Sequence, residues 1–470
     1  MRRLLGKRSP AADISMLAGF SVLTGAATGA TVTVYNLLVG IGEELSVKLY
    51  GEIFARPYFI PLLLAALLLA SIVVGTVVRF VPMARGSGVP QAEGAARGMF
   101  RLKWFSTLCT TFAASLAAIF LGMSAGAEGP SVLIGGCLGE GIGRTSKRER
   151  RDEAMLVAAG ASAGLAAAFN APLTGILFSV EEANRKCTPA VAISAVCSVV
   201  TALAVRGGLR TLVHLIDPSV VPFAPTFSAY DLTALRSFPE VMAALGISVV
   251  AGGVTALAGV AFYHAVLGMK HIFAGITPAG GAMRMAVPFL LAGAFGMISP
   301  FAMNGGHALI EALGTHGGET GMSVALRVGS PVVLAAAVIL IMKFVATACN
   351  MGAGVPCGAF VPMLATGACI GALFSSALTA TGMSAAYSDI AVMVCVAAFF
   401  SAVVKAPITS AVMVFELTGS YNIALLIPVA AASAVAYLVS SALRTHSVYD
   451  ALLVDFVFAD TRRKKTIVPG

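Results

Sequence analysis

Ten long, nearly uncharged stretches decide what this chain can fold into. They run over 14–42, 57–78, 104–127, 154–180, 187–205, 241–263, 285–306, 328–342, 344–388 and 417–443. About 20 apolar residues in a helix cross the hydrocarbon core of a bilayer. Inside that core every backbone N–H and C=O has to be paired within the chain, which a helix achieves by itself. Only 11% of the 470 residues are charged, against about 25% in a soluble domain, and the mean hydropathy is +0.91. The expectation is an all-α integral membrane protein, with 344–388 divided into more than one segment. Fifty glycines suit close helix packing and interrupted helices.

The formal charge of +9 gathers at Arg2, Arg3, Lys7 and Arg8, at Arg97, Arg101 and Lys103, across 144–151, and across 462–465. Short basic loops mark the cytoplasmic side, so all four clusters are placed there, with both termini inside. The lipid bilayer rather than nucleic acid is the partner this implies. The apolar run 14–42 is too long for the core of a signal peptide and lacks a cleavage site, so it reads as the first span. Eight cysteines stand singly, which fits buried inert thiols better than a disulfide framework or a metal site. His214, His307, His316 and His446 are dispersed, with no metal-binding spacing. No cofactor and no metal are expected.

One carboxylate breaks the apolar pattern. No charge lies between Trp104 and Ala127 or between Gly129 and Gly139, which leaves Glu128 alone in Gly126-Ala127-Glu128-Gly129-Pro130. Such a residue is costly in a membrane unless it faces water, a partner or an ion pathway. Glycine permits close approach, and proline suits the first turn of a helix. A helix start carries unpaired N–H groups and partial positive charge, which make an anion site. A tethered carboxylate would occupy that site until an anion displaced it, and so act as a gate.

The pattern recurs. Gly358-Ala359-Phe360-Val361-Pro362 answers the Glu128 motif at an offset of 232 (358 minus 126), and Gly135, Cys137 and Gly139 fall on Gly367, Cys369 and Gly371. Ala171-Pro172-Leu173-Thr174, ending at Glu181, is answered by Ala406-Pro407-Ile408-Thr409, ending at Glu416, at an offset of 235 (406 minus 171). Duplicated membrane halves with breaks at matching places point to a transporter whose ion site lies where the broken ends meet. The expected division is a cytoplasmic segment 1–13, a first half 14–205, a connecting segment 206–240, a second half 241–443, and a final helix and cytoplasmic tail 444–470. Gly86-Ser87-Gly88-Val89-Pro90 should start a short helix, Gly352-Ala353-Gly354-Val355-Pro356 should interrupt one, and Ser447 should cap the last one.

These stretches resemble the CLC family of chloride channels and chloride/proton exchangers. GSGVP at 86–90, GAEGP at 126–130 and GAFVP at 358–362 look like its three anion-site motifs in order. With NAPLTGILFSVEE at 170–182, the likeness covers nearly the whole chain. The resemblance implies an inverted-repeat, all-helical homodimer with an anion pathway in each subunit. By position, Ser87 and Tyr449 resemble the hydroxyl residues that bind the central anion. Ala359 and Phe360 would contribute backbone N–H groups. Glu128 resembles the external gating glutamate, and Glu182 the internal glutamate that receives protons from the cytoplasm. Ser87 with Tyr449 favours chloride over nitrate or fluoride. Several neutral donors suit a halide, whereas a full Lys or Arg would slow its release.

Two departures stand out. Family members often carry a basic residue directly before the gating glutamate, where this chain has Ala127, and the regulatory CBS pair of eukaryotic members is absent. The latter argues against nucleotide regulation and for a bacterial inner membrane. A passive channel of the same fold is the near alternative, although it would need no internal proton acceptor. A remote one is an intramembrane serine hydrolase: Gly160-Ala161-Ser162-Ala163-Gly164 matches G-x-S-x-G, and His264 could supply a base. Small residues packing two helices explain the same five residues. Glu181 is read as solvating the cytoplasmic end of its helix, and His446 as a solvated residue at a helix start.

Overall fold

The computed structural model describes residues 10–467 apart from 219, 222–225, 233–234, 277–280, 315–331 and 420–421. The basic residues before Pro10, and His316, lie outside that range. In chain order the first half holds α1 (Pro10–Ala55), α2 (Ile60–Phe80), α3 (Val89–Ala96), α4 (Trp104–Phe120), α5 (Glu128–Thr145), α6 (Arg150–Phe169), α7 (Pro172–Phe178) and α8 (Pro189–His214). The second holds α9 (Phe238–Gly275), α10 (Gly281–Ile298), α11 (His307–Leu313), α12 (Val332–Ala353), α13 (Phe360–Ala380), α14 (Ser388–Val404), α15 (Pro407–Leu417) and α16 (Leu426–Ala442), followed by α17 (Val448–Ile467). Eight of the described helices are long and apolar enough to cross a membrane. At 46 and 38 residues, α1 and α9 exceed a perpendicular crossing, so both must tilt or project.

Local sequence explains where the helices begin and end. Prolines occupy the first turns of α3, α7, α8, α9 and α15, where no backbone donor is lost. Ser237 and Glu240 close a capping box on α9. Asn170 ends α6 and Lys405 ends α14, both left-handed (φ 57° and 69°) and both just before an Ala-Pro pair. The expected short helix after Ser87 is α3, and 344–388 holds the end of α12, a break and α13. One boundary is corrected: Lys343, which separated two apolar stretches, lies inside α12. It is fully buried, and its ammonium donates to the carbonyls of Met303 (2.7 Å) and Asn304 (2.6 Å).

The repeat persists in the packing. A Cβ on Gly135 would stand 2.0 Å from the Gly160 carbonyl oxygen, and one on Gly139 2.0 Å from that of Leu156. Thus α5 and α6 touch backbone to backbone. Their counterparts Gly367 and Gly371 likewise bring α13 against α14, with would-be Cβ atoms 2.8 Å from the Val396 Cα and 2.5 Å from the Val392 Cα. Gly25 meets Ser198 between α1 and α8, as Gly252 meets Ala432 between α9 and α16. Ser162 is buried in mid-helix, and Gly160 and Gly164 are spent on this packing. The strand–turn–helix elbow that a hydrolase serine requires is absent there.

The halves are joined head to tail. Glu181, beyond α7, accepts from the Ile408 N–H (3.1 Å), the Thr409 N–H (2.6 Å) and the Thr409 hydroxyl (2.6 Å) at the start of α15. Glu416, near the end of α15, accepts from the Leu173 N–H (2.7 Å), the Thr174 N–H (2.7 Å) and the Thr174 hydroxyl (2.6 Å) at the start of α7. Each helix caps the other, so the two run antiparallel and the repeat is inverted. Glu181 therefore caps the opposite half rather than solvating its own helix. Cys109 and Cys187 also depart from expectation, being exposed.

Candidate ion-translocation site

Three helix starts meet near the centre of the molecule. The Gly126 N–H donates to the Gly358 carbonyl (2.9 Å) and the Gly358 N–H to the Gly126 carbonyl (3.0 Å), an antiparallel bridge between the two repeated motifs. A Cβ on Gly129 would lie 2.2 Å from the Ser87 carbonyl oxygen and 2.9 Å from the Gly358 Cα, so only glycine lets these backbones touch. Gly86 and Gly88 flank Ser87 at φ 82° and 89°, and the Gly86 N–H bonds the Gly354 carbonyl (3.0 Å). The beginnings of α3, α5 and α13 are thereby held together, with their first-turn N–H groups and positive dipole ends. A fourth start comes from α17, where the Ser447 hydroxyl accepts from the Tyr449 N–H (3.3 Å) as expected of its cap. The Tyr449 ring stands 5.9 Å from that of Phe360, which also packs on Phe400 and Phe169.

Several polar atoms here are buried and unsatisfied. Ser87 Oγ and the Tyr449 hydroxyl are buried and have no hydrogen-bond partner among the described residues. Native structures satisfy the large majority of such groups, so two orphaned donors beside helix starts fit an anion. Glu128 is 3% exposed and its Oε2 is unpartnered. The carboxylate folds back over Gly126, whose would-be Cβ would lie 2.2 Å from Oε2. Its Oε1 stands 3.4 Å from Nε2 of His307. A cavity of about 100 Å³ adjoins Ser87, bordered by Arg85, Lys270, Met351 and Asp455.

Glu182 sits apart from this cluster. After α7 the chain takes one π-helical turn, Ser179–Ala183, closed by the Asn184 N–H on the Ser179 carbonyl. Such turns concentrate at functional sites. Here the turn sends Glu181 to the start of α15 and buries Glu182, whose two carboxylate oxygens lack partners. Arg97 organises the surroundings. It donates to the Glu182 carbonyl (2.9 Å), to Glu93 (2.5 Å) and to Asp450 (2.9 Å), which joins α3, the π turn and α17 in one floor. Burial alone would raise the Asp450 carboxyl, but hydrogen bonds from Arg97 and Arg185 outweigh it and hold the group below the usual aspartate range.

The structure thus gathers Ser87, Glu128, Ala359, Phe360 and Tyr449, and sets Glu182 on the neighbouring floor. Sequence reading missed Glu93, Arg97, Asp450, His307 and Lys343 as members of this region. A signal existed for Glu93, which precedes Arg97 by one helical turn directly behind the Ser87 motif. Nothing local marked His307, whose partner is 179 positions away.

Comparison with known proteins agrees with this geometry. Residues 68–441 match the model of the voltage-gated chloride channel family, CLC. The chain belongs to the CLC family. The H(+)/Cl(-) exchange transporter ClcA of Vibrio cholerae is 31% identical over 453 residues, covering 92% of this chain and 88% of that protein. The same transporter of Cronobacter sakazakii is 30% identical over 433 residues, 90% and 86% of the two chains. Among solved structures, a slow cyanobacterial Cl-/H+ antiporter superposes with a TM-score of 0.78 at 22% identity, over 94% of this chain and 98% of the other. The CLC architecture follows, and with it a multi-pass membrane protein.

Proposed function

We propose that this protein is a secondary active transporter that exchanges chloride for protons. One observation carries the reading: two buried carboxylates with unsatisfied oxygens among the described residues, Glu128 Oε2 beside the converging helix starts and both oxygens of Glu182 on the floor below. A passive channel has no use for the second. In this reading Ser87 and Tyr449 present hydroxyls to the anion, and Ala359 and Phe360 present backbone N–H groups. Glu128 competes with chloride for the same electropositive place: it leaves as a neutral acid and returns as an anion, which couples the two ions by exclusion. Glu182 exchanges protons with the cytoplasm. The ClcA relatives are named for this exchange. The protein is read as a homodimer in a bacterial inner membrane, each chain carrying the two repeat halves 14–205 and 241–443, with both termini cytoplasmic and no cofactor.

The test is a reconstitution. Liposomes holding the protein receive a chloride gradient while proton movement is recorded. Wild type should drive protons uphill, and Glu128→Ala and Glu182→Ala should each abolish proton movement while chloride still flows. A wild-type reversal potential indifferent to the pH gradient would establish the passive channel instead. Proton pumping that survives Glu128→Ala would remove the gate assignment.

A further inference from the structure

The proton that reaches Glu128 from outside needs a carrier. Glu128 is 3% exposed, its Oε2 has no hydrogen-bond partner among the described residues, and its Oε1 stands 3.4 Å from Nε2 of His307. That is the long end of hydrogen-bond distance, a spacing common at proton-transfer sites in the resting state. The His307 side chain keeps 34% of its surface accessible, against 4% for Glu128, so the imidazole is the more accessible member of the pair. Its position is fixed. Gly306 precedes it at φ 105°, and the ring leans on Phe227 at 6.1 Å between centroids.

We propose that His307 is the outer proton carrier of this transporter, an inference that rests on the reading of Glu128 as the moving gate. The imidazole takes up a proton from outer water to become imidazolium. The Nε2–H bond then breaks as an O–H bond forms on Glu128 Oε1, leaving a neutral imidazole and a neutral acid. The freed acid leaves the anion site, and Nε2 reloads from water. Outward transfer runs the same steps in reverse. Histidine suits the task because it is the side chain that ordinarily changes charge between pH 5 and 8.

Other groups act on the ring and set its working range. Burial weighs most and opposes its charged form, while Glu128 facing it from α5 and Glu43 of α1 favour that form. Lys343 of α12 opposes that form; its ammonium would lie 3.4 Å from a Cβ on Gly306. On its own helix Glu311 is occupied elsewhere, accepting from the Ser228 and Ala229 N–H groups. With Ala127 in place of a basic residue, His307 also returns a switchable positive charge to the gate.

The experiment compares wild type, His307→Gln, His307→Ala and Glu128→Ala in liposomes, recording chloride-driven proton flux from pH 5 to 8. Wild-type flux should fall as pH rises through the imidazole range. His307→Gln keeps a polar group of similar reach, yet should lower proton flux about tenfold at pH 7 and abolish the fall through the imidazole range. Imidazole added to the buffer should restore flux in His307→Ala and leave His307→Gln unchanged. Residual chloride flux shows that the variants are folded. If both His307 variants keep the wild-type profile while Glu128→Ala loses proton flux, the carrier is refuted and the gate stands. If Glu128→Ala retains proton flux, the gate falls and His307 with it.

Discussion

Asp450 and Glu182 are acids on the same floor with opposite circumstances. Asp450 is held by Arg97 and Arg185, whereas the Glu182 carboxylate has no hydrogen-bond partner among the described residues. A carboxyl whose folded-state affinity for protons is depressed stabilises the fold above its unfolded pKa, and that contribution is lost as pH falls through the lower folded value. Asp450 should therefore hold α17 against α3 from neutral pH down past the ordinary aspartate value of about 3.9. Asp450→Asn should cost about 1–3 kcal/mol in thermal unfolding in detergent, a difference constant from pH 5 to 8 and shrinking only in stronger acid. A difference that vanished between pH 5 and 7 would show that Arg97 and Arg185 do not hold the charge. The same scale explains what sequence could disclose. Glu128 was legible because a lone charge in an apolar run, with glycine and proline beside it, leaves a local mark, whereas Ser87 and Tyr449 were legible only through the likeness of their surrounding motifs to the CLC family. His307, Lys343 and Arg97 were not, because a histidine, lysine or arginine acquires its meaning from partners that only the fold supplies.

At the level of helices, small residues do what large apolar ones do in soluble proteins. Lipid is as apolar as leucine, so helices gain by close approach rather than by hiding from water. Gly135 and Gly160 each place an absent Cβ within 2.1 Å of the other's carbonyl oxygen. That atom is backbone and cannot swing aside, so Gly135→Ala must push α5 and α6 apart and move the Glu128 end of α5. The expected loss is about 2–3 kcal/mol together with slowed chloride exchange. Gly253 in α9, with open space around its Cβ position, is the contrast: Gly253→Ala should be neutral or stabilise by up to about 1 kcal/mol. Equal stability losses at the two positions would mean that the α5–α6 contact is looser than its geometry implies. Helix starts and breaks were readable from Gly and Pro spacing. Two features of the elements were not. A lysine reads as an interruption in hydropathy, yet Lys343 continues α12 because two carbonyls accept its ammonium. The π turn at Ser179–Ala183 leaves no compositional trace, because one extra residue in a helical turn changes direction rather than chemistry.

Across the whole molecule, inversion explains why duplicated sequence produces a single site rather than two. Halves related by a two-fold lying in the membrane send corresponding helix starts toward the same level from opposite sides, and the Gly126–Gly358 bridge is where they touch. The repeat was legible as two offsets, but its sense was not, since identity between segments is blind to direction. The caps exchanged by Glu181 and Glu416 decide it. They also fasten the halves at two separate places, because α15, and α7 together with its π turn, each extend roughly 15 Å by helix rise. Each carboxylate satisfies two N–H donors and a threonine hydroxyl, so Glu181→Gln and Glu416→Gln should each cost about 1–2 kcal/mol. Sites more than about 10 Å apart without shared partners add to within roughly 0.5 kcal/mol. The double variant should accordingly lose the sum of the two, measured by thermal unfolding in one detergent. A double variant no less stable than the weaker single one would mean that loss of either cap already frees the other. In that event α7 and α15 would join the halves through one cooperative seam, and proton coupling should fail in both single variants alike.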